Sequence, residues 1–243
     1  MSSLTVDIKK KNFPKSGLKE TFTVIDNLSF DITNNEFVCL VGPSGCGKTT
    51  LLNIIADLDS DYDGTINSQS SKLRPSYVFQ TPRLLPWRTV LENIQLATQP
   101  DASLASIIKT LQSLNLGDHL HSYPHHLSLG MQRRVSLARA FCLPSNLLLM
   151  DEPFVSLDQA NANKARGALL NLWHEKPRSI LFVTHDLSEA ITLADRILFL
   201  SAPPSHIIAE VNISLTRTER TPNQVNAFKE HLKTSQPNIR PFL

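Results

Sequence analysis

Hydrophobic positions in the first quarter of the chain fall in short runs separated by polar turns. Residues 21–25, 28–32 and 37–41 read as strands, with "TNN" turning the chain before the last of them. At Lys48 the apolar spacing changes to a helical period and holds to about Asp57, after which "DSDYDG" reads as a turn and residues 77–79 as a short strand. From Thr89 to about Leu127 the pattern is mostly helical, broken near Pro100 and Pro124, and a helix opens at Ser128 and continues through 135–141. The uninterrupted apolar runs 147–150 and 180–183 have the look of buried parallel strands. The tail holds one strand candidate, 206–213, one amphipathic helix, 224–232, and a last stretch, "QPNIRPFL", expected to be loose. Strands alternating with helices imply an α/β core. The helix-rich stretch from about 80 to 144 reads as an inserted subdomain of a single domain spanning 1–243, with 204–243 as a C-terminal extension.

Composition narrows this picture mainly by exclusion. The longest apolar runs, such as 179–184 and 197–200, have the length of strands, far short of a membrane span, and the N-terminal segment lacks the apolar stretch of a signal peptide. A net charge of +2 gives no reason to expect nucleic acid or an anionic membrane surface as partner. The three cysteines, Cys39, Cys46 and Cys142, show no CxxC spacing and fit a reduced, cytosolic chain. Any link to a membrane is therefore expected to run through another protein.

Of the eight glycines, three fall within "GPSGCGKTT", Gly42, Pro43, Ser44, Gly45, Cys46, Gly47, Lys48, Thr49 and Thr50. The stretch fits G-x-x-x-x-G-K-[ST] and lies between a predicted strand and a predicted helix, the context that gives the motif its meaning. Glycines let the backbone wrap a phosphate with successive N–H groups pointing inward. Lys48 supplies a positive charge to the β- and γ-phosphates, the Thr49 hydroxyl can ligate Mg²⁺, and Cys46 is read as contributing only its backbone. ATP and Mg²⁺ are the expected ligands. Further along, "NLLLMDEP" ends an apolar strand in Asp151 and Glu152, at the carboxyl edge where α/β sheets bind ligands. Asp151 suits the Mg²⁺ sphere through water, and Glu152 can accept a proton from an attacking water. In "HLSLGMQRR" a helix start capped by Ser128, with Gly130 allowing close approach, can receive an anion.

With "GPSGCGKTT", "VFQ", "HLSLGMQRR", "LLLMDEP", "SLD" and "VTHD" in this order, the chain resembles the ATP-binding subunits of ABC transporters over nearly its whole length. "LLPWRTVLENI" and "DEPFVSLD" are similar to the importers of nitrate, sulfonate, taurine and related small solutes. The resemblance implies a P-loop NTPase core with an N-terminal antiparallel β subdomain and an inserted helical subdomain. It assigns Gln80 to the Q-loop, sensing the γ-phosphate and Mg²⁺, and Asp158 to the D-loop. Ser128, Leu129 and Gly130 form the signature that caps the ATP of a partner subunit, and His185 is the switch histidine holding the γ-phosphate. It also implies an aromatic residue stacked on adenine, for which Phe13 is chosen over Phe22. The implied partners are a second ATPase subunit, in a homodimer or heterodimer, and a transmembrane permease reached through Leu84 to Trp87. A solute-binding protein takes part indirectly, and the location is the cytoplasmic face of the membrane, as a peripheral subunit.

Two features stand apart from these motifs. Four histidines crowd residues 119–126, but Pro124 interrupts any helical face and no Cys or acid joins them at ligand spacing, so a connector is the favoured reading. Arg133 and Arg134 are expected to be solvated or paired with acids. Leu129 occupies a position where the family pattern has glycine. A branched apolar side chain there either turns into the helical subdomain or holds a closed dimer slightly apart, and the second reading predicts an active but slow ATPase. Three function classes follow: a transport ATPase, a soluble ABC ATPase acting on DNA or ribosomes, and a nucleotide switch with poor turnover. Chain length and "LLPW" favour the first.

Overall fold

The computed structural model describes residues 2–14, 20–68, 72–99, 102–155 and 157–242. These form two compact units, one from residues 1–73 and 179–243 and one from residues 74–178.

The first unit holds two sheets. One is antiparallel, with β1 (Ser2–Pro14) between β2 (Thr21–Thr33) and β4 (Asp63–Ser68). Leu4, Val6 and Ile8 alternate inward along β1, as expected of a strand with one face buried. The other sheet centres on β3 (Phe37–Val41), which runs parallel to both β7 (Ser179–Thr184) and β8 (Arg196–Leu200). All three are buried throughout, which is why they read as continuous apolar runs. β9 (Ile207–Asn212) closes the edge, antiparallel to β8. α1 (Lys48–Ile55), α6 (Leu187–Leu193) and α7 (Pro222–Ser235) complete the unit.

In the second unit β5 (Pro75–Val78) pairs in parallel with β6 (Leu147–Asp151). The helices are α2 (Val90–Gln95), α3 (Leu104–Ser113), α4 (Leu129–Cys142) and α5 (Gln159–Glu175). Arg178 secures the end of α4: its Nη1 donates to Ser145 Oγ at 2.7 Å and to the carbonyls of Leu143 and Ala140. These are terminal carbonyls that the helix cannot satisfy internally.

Several expectations need correction. Residues 21–25 and 28–32 are one strand, not two: Asn27 takes a positive φ of 51°, yet β1 stays paired to both sides of it, Lys10 with Asp26 and Ile8 with Leu28. β1 and β4 lie where the apolar pattern predicts no strand, though they belong to the antiparallel sheet that the resemblance implies. The stretch 89–127 is less helical than its apolar spacing suggests, because Gly117–His119 and Pro124–His126 form only 3₁₀ turns. The expected break at Pro124 is present, and the one at Pro100 lies outside the described residues. Within the terminal "QPNIRPFL", Pro237–Phe242 is a 3₁₀ segment and not loose chain, and Ile239 is fully buried; Leu243 lies outside the described residues.

Candidate nucleotide site

The phosphate loop follows directly from β3. Gly47 takes φ 93° and precedes α1, and a Cβ there would lie 2.6 Å from Val24 Cγ1. Gly45 has φ 77°, and a Cβ on Gly42 would lie 2.7 Å from Cys46 Sγ. The glycines are therefore required by backbone conformation at two positions and by close packing at two. Lys48 is only 6% exposed. Its Nζ donates to Gly42 O at 2.7 Å and Pro43 O at 2.9 Å, so the charge rests against the loop's own carbonyls. Cys46 is buried, its thiol pushed up by burial, and its carbonyl and amide are both hydrogen-bonded. Ser44 and Thr49 are exposed, and Thr50 is half-buried at the start of α1.

His185 lies next to this loop in the topology. Val41 and Thr184 are register partners at the carboxyl ends of β3 and β7, so Gly42 and His185 both leave the sheet at the same edge. The turn carrying His185 is well braced. Thr184 Oγ1 donates to Glu189 Oε2 at 2.6 Å and accepts from Asp186 N at 3.0 Å, while Asp186 caps α6.

In the second unit the same arrangement recurs. Val78 and Met150 are register partners, so Gln80 and the Asp151–Glu152 pair follow the carboxyl ends of neighbouring strands. Asp151 is buried as the last residue of β6, and Gln80 is exposed. Glu152 adopts φ 44°, a left-handed conformation uncommon for a residue with a long side chain. Backbone strain of this kind, on the order of 1–3 kcal/mol, tends to collect at functional sites.

Ser128, Leu129, Gly130 and Asp158 meet around one cleft of about 250 Å³, with Asn161 and Lys164 on its wall. Ser128 caps α4 through Met131 N at 3.3 Å, and a Cβ on Gly130 would lie 3.3 Å from Leu157 Cδ2. Asp158 caps α5, accepting from Asn161 N at 3.0 Å. That hydrogen bond holds its carboxyl below the usual carboxylate range. Leu129 remains 49% exposed, so it has not turned into the helices behind it. Ser156 of the D-loop lies outside the described residues. Arg134 is half-buried and bonds to backbone carbonyls, its Nη1 donating to Leu114 O at 2.9 Å. Arg133 buries Nε and Nη1 without a hydrogen-bond partner.

The two candidates for adenine stacking turn out to be neighbours. Phe13 and Phe22 are directly opposed in the β1–β2 register, 39% and 44% exposed, so their rings share a face of the sheet. Lys11 Nζ sits 4.7 Å from the Phe13 ring centroid.

Sequence reasoning missed Asn93. It is buried, and it builds the turn that presents Trp87. Its Oδ1 accepts from Leu85 N at 2.7 Å, and its Nδ2 donates to the carbonyls of Leu85, Arg88 and Thr89 at 3.1, 3.0 and 2.9 Å. Trp87 is left 68% exposed. An asparagine within a helical pattern carries no local sign of such a role. In the histidine-rich segment Tyr123, His125 and His126 pack ring against ring. Among the described residues no group of three or more His, Cys, Asp or Glu is placed to hold a metal ion.

Residues 25–155 match the profile of the ABC transporter family, a span that contains the phosphate loop, Gln80, the signature and Asp151–Glu152. The chain belongs to the ABC transporter family. His185 and Asp158 fall beyond the matched span. The aliphatic sulfonates import ATP-binding protein SsuB of Bacillus thuringiensis subsp. konkukian is 38% identical over 89% of this chain and 90% of its own length. The protein of the same name from Bacillus subtilis is 36% identical over 91% and 89%. Among solved structures, an ATP-binding cassette in a dimeric post-hydrolysis state with ADP and Pi superposes with a TM-score of 0.76 at 26% identity, covering 88% of this chain and all of that one. The expected P-loop ABC ATPase fold is thus the fold of the chain, and with it the ATPase class.

Proposed function

We propose that this ABC ATPase powers an importer whose solute carries a sulfonate group, working as a dimer beneath a membrane permease. The observation that carries the ATPase part is the phosphate loop, with glycines at its positive-φ and close-packed positions, Lys48 at its base and a bracing strand on each side. Sulfonate as the solute class rests on the names of the relatives, which are import ATP-binding proteins for aliphatic sulfonates.

In this reading the loop's N–H groups and Lys48 hold the β- and γ-phosphates of ATP. Thr49, Gln80 and Asp151 offer only oxygen donors, a set that suits a hard cation, and would hold Mg²⁺, with Asp151 acting through water. When bound, Mg²⁺ neutralises phosphate charge. Glu152 takes a proton from water as its oxygen attacks the γ-phosphorus. The bond from that phosphorus to the β-bridging oxygen breaks, leaving ADP and inorganic phosphate. His185 orients the γ-phosphate and the water. The signature of the partner subunit, Ser128 and Gly130 at a capped helix start, closes over the nucleotide, with Asp158 beside it. Phe13 or its cross-strand neighbour Phe22 stacks on adenine.

Trp87 tests the transport part. Its turn is fixed by Asn93 and its ring is exposed, the combination expected of an interface anchor. Trp87→Ala should lower solute uptake at least several-fold while ATP hydrolysis by the isolated subunit stays within about twofold, since this reading gives the ring no part in holding the phosphates. Weakened ATP binding by the isolated variant would contradict this assignment.

Leu129 tests the dimer part. Its half-exposed side chain stands on the cleft shared with Ser128, Gly130 and Asp158, where a partner's triphosphate would approach. Leu129→Gly should raise the ATPase rate, or tighten the ATP-bound dimer, without changing the affinity of the monomer for ATP. If turnover and dimerisation both stay at wild-type levels, the leucine has no part in the rate.

A further inference from the structure

The phosphate loop is braced from a distant part of the chain. Residues 201–206 link β8 to β9, and the loop is closed on itself by Ser201 N donating to His206 O at 3.0 Å and His206 N donating to Ser201 Oγ at 3.1 Å. This presents Ser205 to β2. Ser205 N donates to Val24 O at 2.8 Å, Asp26 N donates to Ser205 O at 3.1 Å, and the side chain is fully buried. Its hydroxyl then reaches one step further, to the carbonyl of Cys46 at 2.6 Å, with Val24 O as a second acceptor at 2.8 Å.

Cys46 O belongs to the peptide that joins Cys46 to Gly47. In a trans peptide the C=O and the following N–H point to opposite edges of one plane. Anchoring the carbonyl outward, on Ser205, therefore aims the N–H of Gly47 the other way. Gly47 is the residue at φ 93° just before α1, and it is hemmed in by Val24 on the same side as Ser205. The plane has few other ways to settle.

We infer that Ser205 is a positioning residue for the phosphate loop, holding the Cys46–Gly47 peptide so that its N–H faces the phosphates. The inference rests on the reading that residues 42–50 bind the phosphates of ATP. Ser205 touches neither nucleotide nor water in the reaction; it acts by sparing the loop the ordering that binding otherwise demands.

The test is Ser205→Ala, which removes the hydroxyl and keeps both backbone hydrogen bonds to β2. MgATP affinity is expected to fall about three- to tenfold, the range that a single neutral hydrogen bond spans. Turnover at saturating ATP should stay within about twofold, because Glu152 and His185 are untouched. The thermal midpoint, measured in parallel, establishes that the variant is folded. Unchanged MgATP affinity overturns the inference, whether or not the midpoint drops, since a purely structural role for Ser205 would move stability alone. A fall in turnover at unaltered affinity overturns it too. Lys48→Ala, assayed beside it, separates the two levels. If that variant also keeps its affinity, the phosphate-loop reading itself fails; if it loses affinity and Ser205→Ala does not, only the role of Ser205 falls.

Discussion

Glu152→Gln is expected to reduce steady-state ATP hydrolysis by roughly 10²–10⁴-fold, the contribution typical of a positioned general base. The amide keeps the size and shape of the carboxylate but cannot take the proton of the attacking water. Nucleotide binding should survive, because the proposed function gives the phosphates to the loop at 42–50 and not to Glu152. The variant should therefore accumulate as an ATP-bound dimer, detectable by size-exclusion chromatography with MgATP and absent without it. The backbone at this position already sits at φ 44° with glutamate, and glutamine shares that strain, so folding gives no reason for a difference. Near-normal phosphate release would remove Glu152 from the role.

Lys48→Ala should act at the earlier step. Hydrogen bonds to charged groups contribute on the order of 1.5–3 kcal/mol, so loss of the ammonium should weaken MgATP binding by roughly ten- to a hundredfold. The same change deprives Gly42 O and Pro43 O of the donor that lies 2.7 and 2.9 Å away, so a lower thermal midpoint in the absence of nucleotide is also expected. The two variants thus separate cleanly in titration with a fluorescent ATP analogue: Glu152→Gln binds and does not turn over, Lys48→Ala scarcely binds. Equal affinity in the Lys48 variant and the wild type would contradict the phosphate assignment.

What the sequence made legible follows the range of the physics involved. The phosphate loop and the Asp151–Glu152 strand end are local motifs, and buried parallel strands such as β3, β6 and β7 announce themselves as apolar runs. β1 was obscured because its alternation is interrupted after Ile8. Lys9, Lys10 and Lys11 follow, and Lys11 is buried on Asp59 at 2.8 Å even though a lysine reads as surface. The register also shifts between Lys11 and Asn12. β4 carries a Gly64 against which β1 packs closely, with no room for a Cβ beside Asp7 O, so a turn residue by composition sits inside a strand. Helix was overestimated in 89–127, where apolar spacing persists through turns that never complete an α-helical hydrogen-bond ladder. Among site residues, Phe13 and Phe22 looked like rivals in a linear reading, whereas hairpin pairing sets them side by side. Asn93 makes its contacts to backbone N–H and carbonyl groups, and Ser205 to carbonyls, which leave no trace in residue type or spacing.

The central claim, that ATP hydrolysis by this chain drives uptake of a sulfonated solute, is tested most directly by labelled alkanesulfonate uptake in cells of the source organism. A strain deleted for the chain would be complemented with wild type or with Glu152→Gln at matched expression. Uptake restored by wild type and not by Glu152→Gln is the predicted result. Uptake that persists in the deleted strain, or that Glu152→Gln restores as well as wild type, would contradict it.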